Sequence, residues 1–149
     1  KIIKKQKWAK DISVFRTKYD ELLDYILNKN ENIIVIPPLL IGEDFNNFWN
    51  KELNEFIKVV YDLSKENKLP YLDINSQYKD YLKDKSISNY LPLKVYELYK
   101  DVKRLTSSDF VDQKSIERGL HLTLDGVHLN SSGARIISTS IIDFINNQK

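Results

Sequence analysis

The stretch Asn32–Leu40, NIIVIPPLL, decides the reading of the fold. Ile33, Ile34, Val35 and Ile36 are four consecutive β-branched residues with no polar residue between them. A strand with one solvated face alternates apolar and polar residues, so an unbroken apolar run reads as a strand buried on both faces, as in parallel sheets covered by helices. Pro37 and Pro38 follow and carry no N–H to extend a ladder.

Working outward, Asp11 is a helix cap, and Val14, Phe15, Leu22, Leu23, Ile26 and Leu27 recur at a helical period behind it. After Gly42 a second helix is expected over about Asn46–Asn67, with Phe48, Leu53, Phe56, Ile57, Val60 and Tyr61 on its inner side. Pro70 then precedes a second, shorter strand, Tyr71–Ile74. From Ser76 to Arg118 the chain is polar and rich in lysine and tyrosine, and it reads as helical in pieces with Pro92 at one start. A closing helix is capped by Asn130 or Ser131 and buries Ile136, Ile137, Ser140, Ile141, Phe144 and Ile145. Helix, buried strand, helix, strand, helices is the order of an α/β fold with a parallel sheet. Two strands are too few to cover both edges of Ile33–Ile36, and the chain contains no methionine. Both observations lead to one expectation: residues 1–149 form one unit that is the C-terminal portion of a larger α/β domain.

The 149 residues are 42% apolar and 30% charged, which suits one core and a solvated surface. Their 23 basic and 21 acidic residues are spread evenly, so no concentrated field exists for a nucleic acid. The densest basic stretch, Lys1–Lys10 around Trp8, reads as a solvated approach to the first helix. No apolar run is long enough to span a bilayer. The absence of cysteine rules out disulfides and thiolate metal ligands, and it is compatible with the cytoplasm and with secretion alike.

One of only two histidines lies in Leu122–Ala134, LTLDGVHLNSSGA. Asp125 stands three residues before His128, with Gly126 between them to allow a tight turn. In that arrangement the carboxylate can meet the imidazole Nδ1–H, fix the tautomer and leave Nε2 free for proton transfer. A purely structural turn, with Asp125 as a cap and His128 packed under the last helix, uses the same residues. NSSGA, Asn130–Ala134, adds a cap followed by small residues, so the helix end can lie close to the strands and set the height of His128.

This block resembles the last block of the SGNH, or GDSL-type, hydrolases, and IIVIPPLL and YLDIN are similar to that family's layout further upstream. The resemblance implies a flavodoxin-like three-layer α/β/α sandwich with a parallel sheet. It also implies that Asp125 and His128 are the acid and base of a hydrolytic triad that uses no metal ion and no organic cofactor. The family's Gly-Asp-Ser nucleophile block and its oxyanion-hole blocks are missing from these 149 residues. The nucleophile is therefore expected in an N-terminal part outside this segment. Ser131 and Ser132 are better used as helix-start residues.

Leu39, Leu40 and Ile41 leave the carboxyl end of the first strand and are candidates to line the cleft, core burial being the other use of the same residues. His121 with Asp125 and His128 would form a metal site only on a helix, which Gly126 and the alternation of LHLTLDGV oppose. Tyr78, Tyr81, Tyr90, Tyr96 and Tyr99 suit either a sugar platform or helix packing. The long segment before Asp125 is a candidate lid. The implied function is a serine esterase that deacylates a small ester of a carbohydrate, lipid or similar alcohol. Its partner is then a small-molecule substrate, with neither nucleic acid nor a membrane span involved. The alternative is a non-catalytic binding or scaffold module that keeps the layout without a nucleophile.

Overall fold

The computed structural model describes residues 11–29, 32–91 and 107–147. Lys1–Lys10 with Trp8 lie outside these residues, as do Pro92, Tyr96, Tyr99 and the rest of 92–106 within the candidate lid. The described residues form helices α1 (Ile12–Leu27), α2 (Phe48–Glu66), α3 (Ile74–Leu82), α4 (Ser108–Glu117) and α5 (Ser131–Asn146). Each begins on a side-chain oxygen that accepts an otherwise orphaned backbone N–H. Asp11 accepts from Ser13, Asn47 from Asn50, Asp73 from Ser76, Ser107 from Phe110 and Asn130 from Gly133. None of the helices is long and apolar enough to cross a membrane.

Among the described residues the expected parallel sheet does not form, and the three-layer α/β/α sandwich is corrected to a helical assembly around short extended segments. Among the described residues, β-pairing consists of two isolated bridges, Val35 with Tyr71 in parallel and Thr123 with Leu129 antiparallel. The first rests on two hydrogen bonds, from Val35 N to Pro70 O at 2.8 Å and from Leu72 N to Val35 O at 2.9 Å. Beyond them the ladder has no donors on one side, because Pro37 and Pro38 lack N–H groups. On the other side the chain leaves the ladder at once, since Asp73 caps α3 and Ile74, Tyr78 and Leu82 recur every fourth residue on its buried face. Tyr71–Ile74 is thus one bridging residue and a helix start rather than a strand. Within the apolar run at residues 33–36 pairing stops at Val35, which is also its one buried residue, while Ile36 is half-buried and packs on the core.

That core is Ile74, Tyr78 and Leu82 from α3 with Leu122, enclosed by Ile36, Leu39, Leu40, Leu129, Ile136 and neighbouring side chains. Full burial of Ile74, Leu82 and Leu122 contributes about 1.5–3 kcal/mol each. The Tyr78 hydroxyl, fully enclosed, donates to Gly133 O at 3.0 Å and ties α3 to α5. Gly133 lets α5 approach so closely that a Cβ there would lie 2.3 Å from Leu122 O. On the other flank α1 packs on α2 through an edge-on contact of Phe15 with Phe56, 5.0 Å between ring centres. The Arg16–Glu66 ion pair beside it is exposed and adds little.

Candidate active site

Leu122–Asn130 forms a tight antiparallel turn closed by hydrogen bonds from Leu124 N to His128 O at 2.7 Å and from Asn130 N to Leu122 O at 3.0 Å. Gly126, at its tip, has φ +87°, a left-handed conformation that glycine adopts without strain. A Cβ there would also stand 2.6 Å from Leu91 Cδ1 and 3.2 Å from the Gly42 backbone. The turn brings Asp125 Oδ2 to 2.8 Å from His128 Nδ1. Asp125 Oδ1 accepts from the backbone amides of Val127 at 3.0 Å and His128 at 2.8 Å. With three donors satisfied, the carboxylate side chain is 2% exposed while the imidazole is 54% exposed. The carboxylate selects the tautomer protonated on Nδ1, which turns the basic Nε2 lone pair away from Asp125.

A second loop, Ile41–Phe45, sits against this turn, and Gly42 N donates to Gly126 O at 2.6 Å. Two asparagines of the α2 start hold the loop. Asn50, itself buried, accepts from Ile41 N at 2.9 Å and donates to Asp44 O at 2.8 Å, and Asn47 Nδ2 donates to Ile41 O at 2.7 Å. The loop inserts Glu43, 1% exposed, under the chain that leads into the turn. Its carboxylate accepts from the amides of His121 at 2.8 Å, Leu122 at 2.7 Å and Thr123 at 3.0 Å, and from Thr123 Oγ1 at 2.9 Å. Sequence reading did not single out Glu43. It has no local motif, because every partner lies 78 to 80 residues away.

The other candidates are dispersed. Leu39 and Leu40 pack against the core. Ile41 instead lines an apolar groove of about 450 Å³ with Phe15, Pro38, Phe48, Trp49 and Phe56, a volume within the range of small-molecule sites. His121 is engaged through Nε2 with Ser86 O at 2.9 Å. The described residues contain no group of three or more metal-ligating side chains. Of the tyrosines, Tyr78 is in the core, Tyr81 is partly exposed, and Tyr90 lies under the Arg118 guanidinium, 4.8 Å from its ring centre. Ser131 and Ser132 start α5, where Ser131 N donates to Asp112 Oδ1 at 2.9 Å.

No protein-family model matches this sequence, and no curated protein matches it. Solved structures do resemble it in fold. One is an acetyl xylan esterase, 18% identical, with a TM-score of 0.62 over 91% of this chain and 56% of that one. Another is an alpha/beta hydrolase enzyme from the metagenome of Lake Arreo, Spain, 10% identical, with a TM-score of 0.62 over 95% of this chain and 50% of that one. The chain thus spans about half the length of these structures. At such identities the likeness is one of fold.

Proposed function

We propose that this chain carries the acid–base pair of a serine ester hydrolase of the SGNH type, with His128 as general base and acid and Asp125 as its orienting carboxylate. The observation that carries this reading is the buried Asp125 carboxylate, fixed by two amides and bonded to Nδ1 of a half-exposed imidazole at 2.8 Å. In the reaction, Nε2 takes the hydroxyl proton of a serine as its oxygen bonds to the ester carbonyl carbon. The same proton passes to the alcohol oxygen as the carbon–oxygen bond breaks. Water then repeats the sequence on the acyl-serine, releasing the acid and restoring the hydroxyl. Asp125 keeps its negative charge throughout and stabilises the imidazolium.

The serine is placed outside these 149 residues, which contain no Gly-Asp-Ser block. The substrate is a small ester of a carbohydrate, lipid or similar alcohol, and the likeness in fold to an acetyl xylan esterase makes an acetyl ester the first to try. Ile41 adjoins Gly42, which bonds the turn, so its apolar groove is assigned to one side of the substrate. Leu39 and Leu40 support that loop from the core.

The test is hydrolysis of p-nitrophenyl acetate by the intact protein, with fluorophosphonate labelling to map the nucleophile. His128→Ala abolishes turnover and leaves the fold intact, and Asp125→Asn lowers turnover by about 10⁴-fold, the loss seen when a triad histidine is left in the wrong tautomer. Unchanged turnover in His128→Ala removes this residue from the mechanism. An unlabelled, inactive wild-type protein favours the binding or scaffold module instead.

A further inference from the structure

We infer that Glu43 is a positioning residue for the Asp125–His128 pair, acting through Thr123 and Gly126; the inference rests on the catalytic reading of that pair. A carboxylate taken out of water is costly unless its lone pairs are met. Those of Glu43 are met by three consecutive amides, His121, Leu122 and Thr123, and by the Thr123 hydroxyl. Three successive N–H groups converging on one rigid carboxylate fix the path of the chain into the catalytic turn.

From there two links reach Gly126, the residue that follows the acid. Thr123 Oγ1 spends its only hydrogen on Glu43 Oε1 at 2.9 Å, so it meets Gly126 N, 3.1 Å away, as an acceptor. Gly42, the neighbour of Glu43, donates its N–H to Gly126 O at 2.6 Å. Both polar backbone groups of Gly126 are therefore held from Gly42–Glu43, one directly and one through a hydroxyl whose direction the carboxylate sets. Asp125 and His128 are the flanks of this clamp. Loosening it lets the imidazole drift relative to the carboxylate without removing either.

Glu43→Gln is close to isosteric, but it turns an NH2 group toward the His121 amide, a donor against a donor. Thr123→Val removes the hydroxyl alone, and Thr123→Ser keeps it. Two readouts are used on the intact protein: the low-field proton resonance of His128 Nδ1–H, which needs no substrate, and kcat and KM for p-nitrophenyl acetate. In Glu43→Gln and Thr123→Val the resonance shifts upfield or is lost to exchange. In both, kcat falls by about 10- to 100-fold, as for a misplacement on the order of 1 Å, while KM stays within roughly twofold. Thr123→Ser restores both. Folded Glu43→Gln or Thr123→Val protein with the wild-type resonance and wild-type kcat overturns the proposal and leaves Glu43 a purely structural group. If Glu43→Gln does not fold, the Thr123 pair carries the same two outcomes. Because the resonance is independent of turnover, a failure of the catalytic reading, seen as unchanged hydrolysis in His128→Ala, is distinguished from a failure of this one.

Discussion

Replacing Gly133 by alanine sets two effects of opposite sign against each other. Inside a helix alanine is favoured over glycine by about 1 kcal/mol, so propensity alone predicts a more stable protein. The geometry predicts the reverse. A Cβ at residue 133 lies 2.3 Å from Leu122 O, 3.2 Å from Leu122 C and 3.1 Å from Leu129 Cδ2. The Leu129 methyl can turn aside, but the carbonyl belongs to the backbone that leads into the Asp125–His128 turn. A relaxed carbon–oxygen contact is about 3.3 Å, so α5 must retreat by roughly 1 Å. Retreat strains the Tyr78 hydroxyl bond to Gly133 O and opens the packing over Leu122. Overpacking costs about 1–3 kcal/mol and the hydrogen bond about 1 kcal/mol, which leaves a net loss of about 2 kcal/mol after the propensity gain. For a chain of this length that lowers Tm by about 4–8 °C. Urea and thermal unfolding, followed by circular dichroism, measure it. An unchanged or raised midpoint refutes the close approach of α5 to Leu122.

Two further predictions concern titration and the supporting loop. Burial pushes the phenols of Tyr78 and Tyr71 up to about 12, with the Asp73 carboxylate adding to the effect at Tyr71. Their folded values lie above the ordinary 10.0, so this contribution to stability is complete below the ordinary value and is lost as pH rises through the folded one. An ultraviolet phenolate titration should show Tyr71 and Tyr78 ionising late, with Tyr19 also raised by burial, and one late tyrosine fewer in Tyr78→Phe; ionisation of every tyrosine at the ordinary value with the fold intact contradicts this. Asn50→Ala leaves the Ile41 amide without its acceptor and the Asp44 carbonyl without its donor. Both groups are partly buried, so the loss should be about 1–3 kcal/mol in total and should speed proteolytic cleavage within residues 41–45, whereas a wild-type cleavage rate would show that Asn50 does not hold the loop.

Helix starts were legible because they are written in adjacent residues: Asp11 caps where sequence placed it, Asn130 is one of the two caps expected for the last helix, and α2 begins within two residues of expectation. The close meeting of Asp125 and His128 is equally local, since a glycine between residues three apart leaves the carboxylate few other directions. The sheet was misread because hydrophobic pattern reports what is buried, whereas pairing needs donors that Pro37, Pro38 and Pro70 lack. Asp73 followed by Ile74, Tyr78 and Leu82 carried the helical signal that the apparent strand YLDI concealed. Glu43 was not legible at all, since a buried carboxylate is indistinguishable from a surface one until the chain returns to it 78 residues later.

Pro37 and Pro38 have an effect beyond ending a ladder after one rung. Ile33–Ile36 is the kind of segment onto which foreign strands add, rung by rung, in fibrils. Growth along it would need amide donors continuing past Ile36, and the next two residues supply only carbonyls. The same rings that keep this molecule from extending its own pairing deny an added strand the donors it would need there.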